Sequence, residues 1–210
     1  MDRRRFLLTS LAWTLATPLA AGAPQAGKVW RIGVLEATSP SLNTTNLDAF
    51  RQGLRELGYV EGRNFVIEYR SADGRPERFP SLASELVRLR VDLIVTRGTP
   101  AVLAAKKATG SIPIVLATSA DPAGFGVVSG LARPGTNVTG LSTIAVELAA
   151  KRLELLKEAI PRIARIAELA NMSSPASASQ WRQIEVAARS LGLEPQLLRR
   201  ASVRGLCSRF

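Results

Sequence analysis

Along the chain, short apolar runs alternate with stretches whose apolar residues recur at spacings of three and four. The first pattern predicts buried strands and the second predicts helices with one apolar face. Residues 29–35 predict strand one. Leu47, Phe50, Leu54 and Leu57 then line one helical face, with Asn43 to Thr45 placed to cap it and Gly58 to close it. Residues 64–69 are β-rich and predict strand two, Leu82, Leu86 and Leu89 mark a second helix, and 91–95 predict strand three. Residues 100–109 predict a short Ala-rich helix, and 112–117 a fourth strand whose Pro113 suits a strand entry. A short helix is expected over 126–131, and 137–141 reads as a further strand or a crossing segment.

Strands and helices in strict alternation predict an α/β fold, a parallel doubly wound sheet with helices on both faces. The nearly unbroken apolar character of strands three and four suits central strands buried on both sides. Beyond Ser142 the pattern restarts. Leu148, Leu155, Leu156 and Ala159 mark a helix ended by Pro161, and 163–169 predict a strand. Residues 177–191 predict a helix carrying Trp181, Ile184, Ala188 and Leu191 on one face, and 194–198 the next strand. Leu57-Gly58 and Leu191-Gly192 hold matching places in the two units. Two lobes of like design are implied: an N-terminal α/β lobe over 24–142 and a partial C-terminal lobe over 143–198, with 141–145 crossing between them. The second lobe is left incomplete. Residues 199–210 are rich in Arg and Ser and show no period. They read as an aberrant tail, such as a frameshift product, or as a natural flexible end.

The first 23 residues read as an export leader. Arg3, Arg4 and Arg5 precede an apolar run over 6–21, and Ala21-Gly22-Ala23 offers the small-x-small pattern of a cleavage site. Two arginines, any residue and Phe6-Leu7 fit the twin-arginine form. The run is shorter than the ~20 residues of a spanning helix. A periplasmic mature chain is expected.

Composition narrows the chemistry. Histidine is absent and Cys207 is the single cysteine. Histidine-based triads, Cys/His metal clusters and an internal disulfide framework are thereby excluded. The net charge of +11 invites a nucleic-acid reading, yet much of it sits in Arg3–Arg5 and in Arg199, Arg200, Arg204 and Arg209. The remaining basic residues interleave with Glu, as solvated helix faces do. Neither nucleic acid nor a cofactor is expected.

In an open α/β sheet, ligands bind beyond the carboxyl ends of the strands. Three hydroxyl-rich loops fall there: 37–41 with Thr38 and Ser39, 98–100 with Gly98, Thr99 and Pro100, and 118–122 with Ser119 and Asp121. Each combines a helix start with small polar residues, a combination suited to a carboxylate or similar anion and equally to simple capping. Thr99 before Pro100 reads as a capping hydroxyl with Pro at the first helical position. Asp121 reads as an acceptor for a ligand amine or as a cap before Pro122.

Several longer runs carry a resemblance. Residues 31–35, 50–64, Gly98-Thr99-Pro100-Ala101, 112–115, Asp121-Pro122, 131–142 and 151–157 are similar to bacterial ABC transporter substrate-binding proteins of the tryptophan/tyrosine type. The resemblance covers about 29–198. It implies a type I periplasmic-binding-protein fold, two lobes closing on a small solute such as an aromatic amino acid, and delivery to a membrane permease by a monomer. It also implies that Thr38, Ser39, Thr99, Ser119 and Asp121 lie at the first lobe's cleft edge and Ser142 at the hinge. Ala170-Asn171-Met172-Ser173 departs from the Trp-Asn-Pro of relatives, and relatives continue beyond 198. Capture without catalysis is the expectation. The competing expectation is an α/β enzyme acting on a small carboxylate-bearing substrate through Asp121 or a hydroxyl.

Overall fold

The computed structural model describes residues 28–199. The leader and the tail beyond Arg199 lie outside the described residues. Among the described residues there are seven strands and five α-helices, with an α-helix between every two successive strands except β4 and β5. A five-stranded parallel sheet is formed by β1 (Trp30–Glu36), β2 (Phe65–Ser71), β3 (Leu93–Arg97), β4 (Ile114–Ala120) and β5 (Val138–Thr143), in the order β2-β1-β3-β4-β5. Three helices cover it: α1 (Thr44–Glu56), α2 (Phe79–Arg88) and α3 (Thr99–Ala108).

The period of two explains why helices are needed on both faces. Ile32 and Val34 of β1 pack with Phe65, Phe50 and Leu54 on the α1 side. Leu35, Ile94, Ile114, Leu116 and Val138 point the other way, against Leu82 and Leu86 of α2 and Val102 and Ala105 of α3. The doubly wound α/β fold read from the pattern is therefore the one observed. β5 joins the sheet through Gly140, whose φ of +135° and close approach to the Leu116 backbone leave no room for a Cβ.

The chain then builds a two-stranded parallel sheet, β6 (Arg165–Ala170) with β7 (Glu194–Arg199), packed by α4 (Ala149–Ala159) and α5 (Pro175–Ser190). The repeated Leu-Gly signal acts alike in both units. Gly58 donates its N–H to the Arg55 carbonyl at the end of α1, and Gly192 donates to Arg189 at the end of α5.

Three local expectations need correction. Residues 126–131 form turns and bends and not a helix. The Pro122 carbonyl takes the N–H groups of both Val127 and Val128, at 2.8 and 3.2 Å, so these buried valines plug the core from a tight loop. Thr118 and Ser119 lie within β4, not in the loop after it. The cap of α3 is Gly98, with Thr99 inside the helix and without a side-chain cap bond.

Candidate functional site

The strand order reverses between β1 and β3, and the carboxyl ends of those strands open onto a crevice, as expected at a topological switch point. A cleft of about 540 Å³ occupies this edge. Ala37 and Thr38 follow β1, Ala72, Gly74 and Arg75 follow β2, and Arg97, Gly98 and Pro100 end β3 and begin α3. Asn171, Ser173 and Ser174, from the turn between β6 and α5, close the opposite wall.

Gly98 sets the geometry of the α3 start. Its φ of +83° and ψ of 145° are open to glycine and strained for any other residue. This turn lets its N–H reach the Thr118 carbonyl at 2.9 Å while its own carbonyl accepts from Val102 at 3.2 Å. The strand end is thereby tied to β4 and the helix starts immediately. The first-turn N–H groups have no partners within the helix, no acidic side chain occupies that turn, and Thr99 is buried. α5 likewise starts without an acid in its first turn. Two positive helix ends therefore border one cleft.

Thr38 lines the same cleft. Its Oγ1 is buried and has no hydrogen-bond partner among the described residues. Such an atom costs roughly 1–3 kcal/mol unless something pairs with it. Its backbone is held firmly: the Tyr69 hydroxyl donates to the Thr38 carbonyl at 2.8 Å and accepts from Asn43 Nδ2 at 3.2 Å. Burial pushes the Tyr69 hydroxyl above its usual pKa, so it remains a donor.

Behind the cleft stands a charged pair. Arg97 Nη2 donates to Glu36 Oε2 at 3.3 Å and to Asn43 Oδ1 at 3.4 Å. Burial pushes the Glu36 carboxyl up, and the Arg97 charge only partly offsets this. Arg97 also borders a second hollow of about 300 Å³ on the α1 side, with Glu36, Asn43, Leu47 and Phe50. It is the residue shared by both hollows.

Of the residues singled out in the sequence, Thr38, Gly98 and Pro100 line the cleft. Thr99 sits buried at the helix start beside them. Ser39 is spent on Ser41, with their hydroxyl oxygens 3.0 Å apart. Asp121 closes its own turn, accepting the Gly124 N–H at 2.8 Å, and does not line the cleft. Ser119 is buried with an unpaired Oγ and lies opposite Ser142 in the β4–β5 register, away from the cleft lining. Arg97, Arg75, Glu36 and Tyr69 were not singled out, and Asn43 only as a helix cap. The available signal was a charged residue ending each of two apolar strands, Glu36 and Arg97.

Among the described residues, no helix is long and apolar enough to cross a membrane, and no group of His, Cys, Asp or Glu could hold a metal. Residues 31–204 match the family model described as ABC transporter substrate binding protein. A Tyrosine-binding protein of Clostridioides difficile (strain R20291) is 35% identical over 135 residues, 64% of this chain and 38% of its own length. A conserved domain protein from Vibrio cholerae O1 biovar El Tor superposes with a TM-score of 0.73 at 30% identity, over 82% of this chain and 57% of that one. An ABC domain from Streptococcus pneumonia in complex with L-Trp gives a TM-score of 0.70 at 29% identity, over 86% of this chain and 60% of that one. This chain thus spans only part of the length of these relatives. On the match across 31–204, the chain belongs to the family of ABC transporter substrate-binding proteins.

Proposed function

We propose that the chain serves as the solute-capturing component of an ABC transporter, holding a small carboxylate-bearing solute of the aromatic amino acid class and presenting it to a membrane permease. The single observation that carries this reading is the cleft at the β1–β3 switch point. There the α3 start, the unpaired Thr38 hydroxyl and Arg97 converge on one space of solute size. The Trp-bound and tyrosine-binding relatives support the choice of class. Thr38, Gly98, Thr99 and Pro100 contact the solute from the first lobe, 24–142. Asn171 and Ser173 meet it from the second, 143–198, with Ser142 at the crossing. Ser39, Ser119 and Asp121 shape this edge without touching the solute. The role we propose is capture and not catalysis; the commitment of Asp121, one of the two kinds of group the enzyme alternative would use, to its own turn supports this. The leader's twin-arginine pattern and Ala21-Gly22-Ala23 support work in the periplasm.

The test is a melting experiment on the purified full chain with a panel of amino acids and aromatic acids. A cognate solute at about 100 times its Kd adds ~2.7 kcal/mol, which raises the midpoint by roughly 5–10 °C for a chain of this size. A panel in which no aromatic acid or amino acid moves the midpoint overturns the proposal.

A further inference from the structure

Building on the reading of this cleft as the solute site, we infer that Arg97 takes the solute's carboxylate and that the cleft selects acids whether or not they carry an amino group. Arg97 stands where the switch point places a ligand: it lines the cleft, and its side chain is about one third exposed, at 36%. The hydrogen bonds described for its side chain use Nη2 alone, at 3.3 Å to Glu36 and 3.4 Å to Asn43. Charge-assisted N–H···O bonds are ordinarily ~2.7–2.9 Å, so these contacts orient the guanidinium without exhausting its donors. The frame behind it is rigid. Asn43 is fixed by the Tyr69 hydroxyl and by Asn46, whose Nδ2 donates to Asn43 Oδ1 at 2.7 Å. Glu36 supplies the counter-charge from its buried position on the far side, outside the cleft lining. The Arg97 donors left over form a planar fork suited to a carboxylate.

The rest of the cleft has the same sign. The charged side chains among its described lining residues are Arg97 and Arg75. Both bordering helices begin without an acidic residue. The Asp121 carboxylate, which could have accepted an ammonium, is turned onto the Gly124 N–H. An anion therefore gains from every charged element here, whereas an ammonium meets no side-chain carboxylate among the described lining residues.

Calorimetry with three probes tests this on the full chain: tryptophan, indole-3-propionate (acid without amine) and tryptamine (amine without acid). The expected result is that the two acids bind within about tenfold of each other and tryptamine at least about a hundredfold more weakly, as loss of a charge-assisted pair implies. Arg97→Gln lowers acid affinity about a hundredfold, and Arg97→Lys recovers about tenfold of that, because charge returns without the fork. Melting curves confirm that both variants fold. Tryptamine binding as tightly as the acids overturns the role of Arg97. So does unchanged acid binding by Arg97→Gln when the wild-type chain binds the acids. If the wild-type chain binds none of the three, the solute-capture role and the role of Arg97 fall together.

Discussion

In the five-stranded sheet, Ile94 and Ile114 are fully buried, as is Leu86 of the covering helix α2, and helices press on both faces. Around β6 and β7 the enclosed cluster shrinks to Ala149, Leu153, Ile184, Ala188 and Leu193, while Leu169 is 54% exposed and Val186 72%. Both units use the same vocabulary of strand, helix, Leu-Gly and parallel strand. Their difference lies in how many layers meet. A helix pair lying on two strands encloses only its inner stripe, whereas five strands between helices enclose both faces. Local pattern thus sets the elements, and the number of neighbours sets how much each element is stabilised.

The comparison can be broken by mutation. Leu86→Ala removes a fully buried side chain from between α2 and β1, and should cost about 3–4 kcal/mol, read as a lower urea midpoint. Ile184→Ala should cost less, about 2 kcal/mol, since its site is more open and can relax. Its effect should stay local: amide exchange should speed up in β6 and β7 and hold steady in β3 and β4. Faster exchange in β3 and β4 would show that the two units melt as one.

Asp92 sharpens the comparison from the other end of the five-stranded sheet. Its carboxylate accepts the Arg31 N–H at 2.8 Å and pairs with Lys28, so it clasps the entry of β1 to that of β3. These partners, the Arg31 N–H first, hold it below the usual carboxylate pKa. A lowered folded-state value means that the stabilisation is complete above the ordinary carboxylate range and is lost as pH falls through the folded value. Asp92→Ala should therefore cost about 1 kcal/mol at neutral pH and nothing in strong acid, where melting curves of the two proteins should coincide. Smallest of all, Val186→Lys should change stability by no more than about 0.5 kcal/mol, yet lower the binding of a hydrophobic dye.

Periodicity made the scaffold legible because buried strands and one-sided helices write their burial into spacing. Ile32 and Val34 against Gly33 and Leu35 already show a strand buried on both faces. Where glycine crowds an apolar stretch, the rule failed. Val127 and Val128 look helical in sequence, but Gly124, Gly126 and Gly130 favour turns, and burial was met by a loop. The cleft was legible in its small residues, Thr38, Gly98 and Pro100, because helix starts have a local signature. Its charged residues were not. Arg97 and Glu36 lie 61 positions apart and become partners only when β1 and β3 pair. Asn43 resembled a helix cap in sequence, but its side chain serves Tyr69 instead of the helix start. Long-range pairing of this kind has no period to betray it.

The order β2-β1-β3-β4-β5 also fixes a history. β1 lies inside the sheet although it is the first of these strands to be made. It must wait for β2 on one side and for β3, about sixty residues later, on the other. Thereafter each new strand docks beside the one made just before it, so the growing edge advances in step with synthesis, from β1 to β3 to β4. Until β5 arrives, that edge offers unsatisfied backbone groups and apolar side chains to any neighbouring chain. β5 covers the β4 edge and becomes the edge itself, finishing on the polar pair Ser142-Thr143. A pause in translation between β4 and β5 would therefore lengthen the time for which the β4 edge stands open.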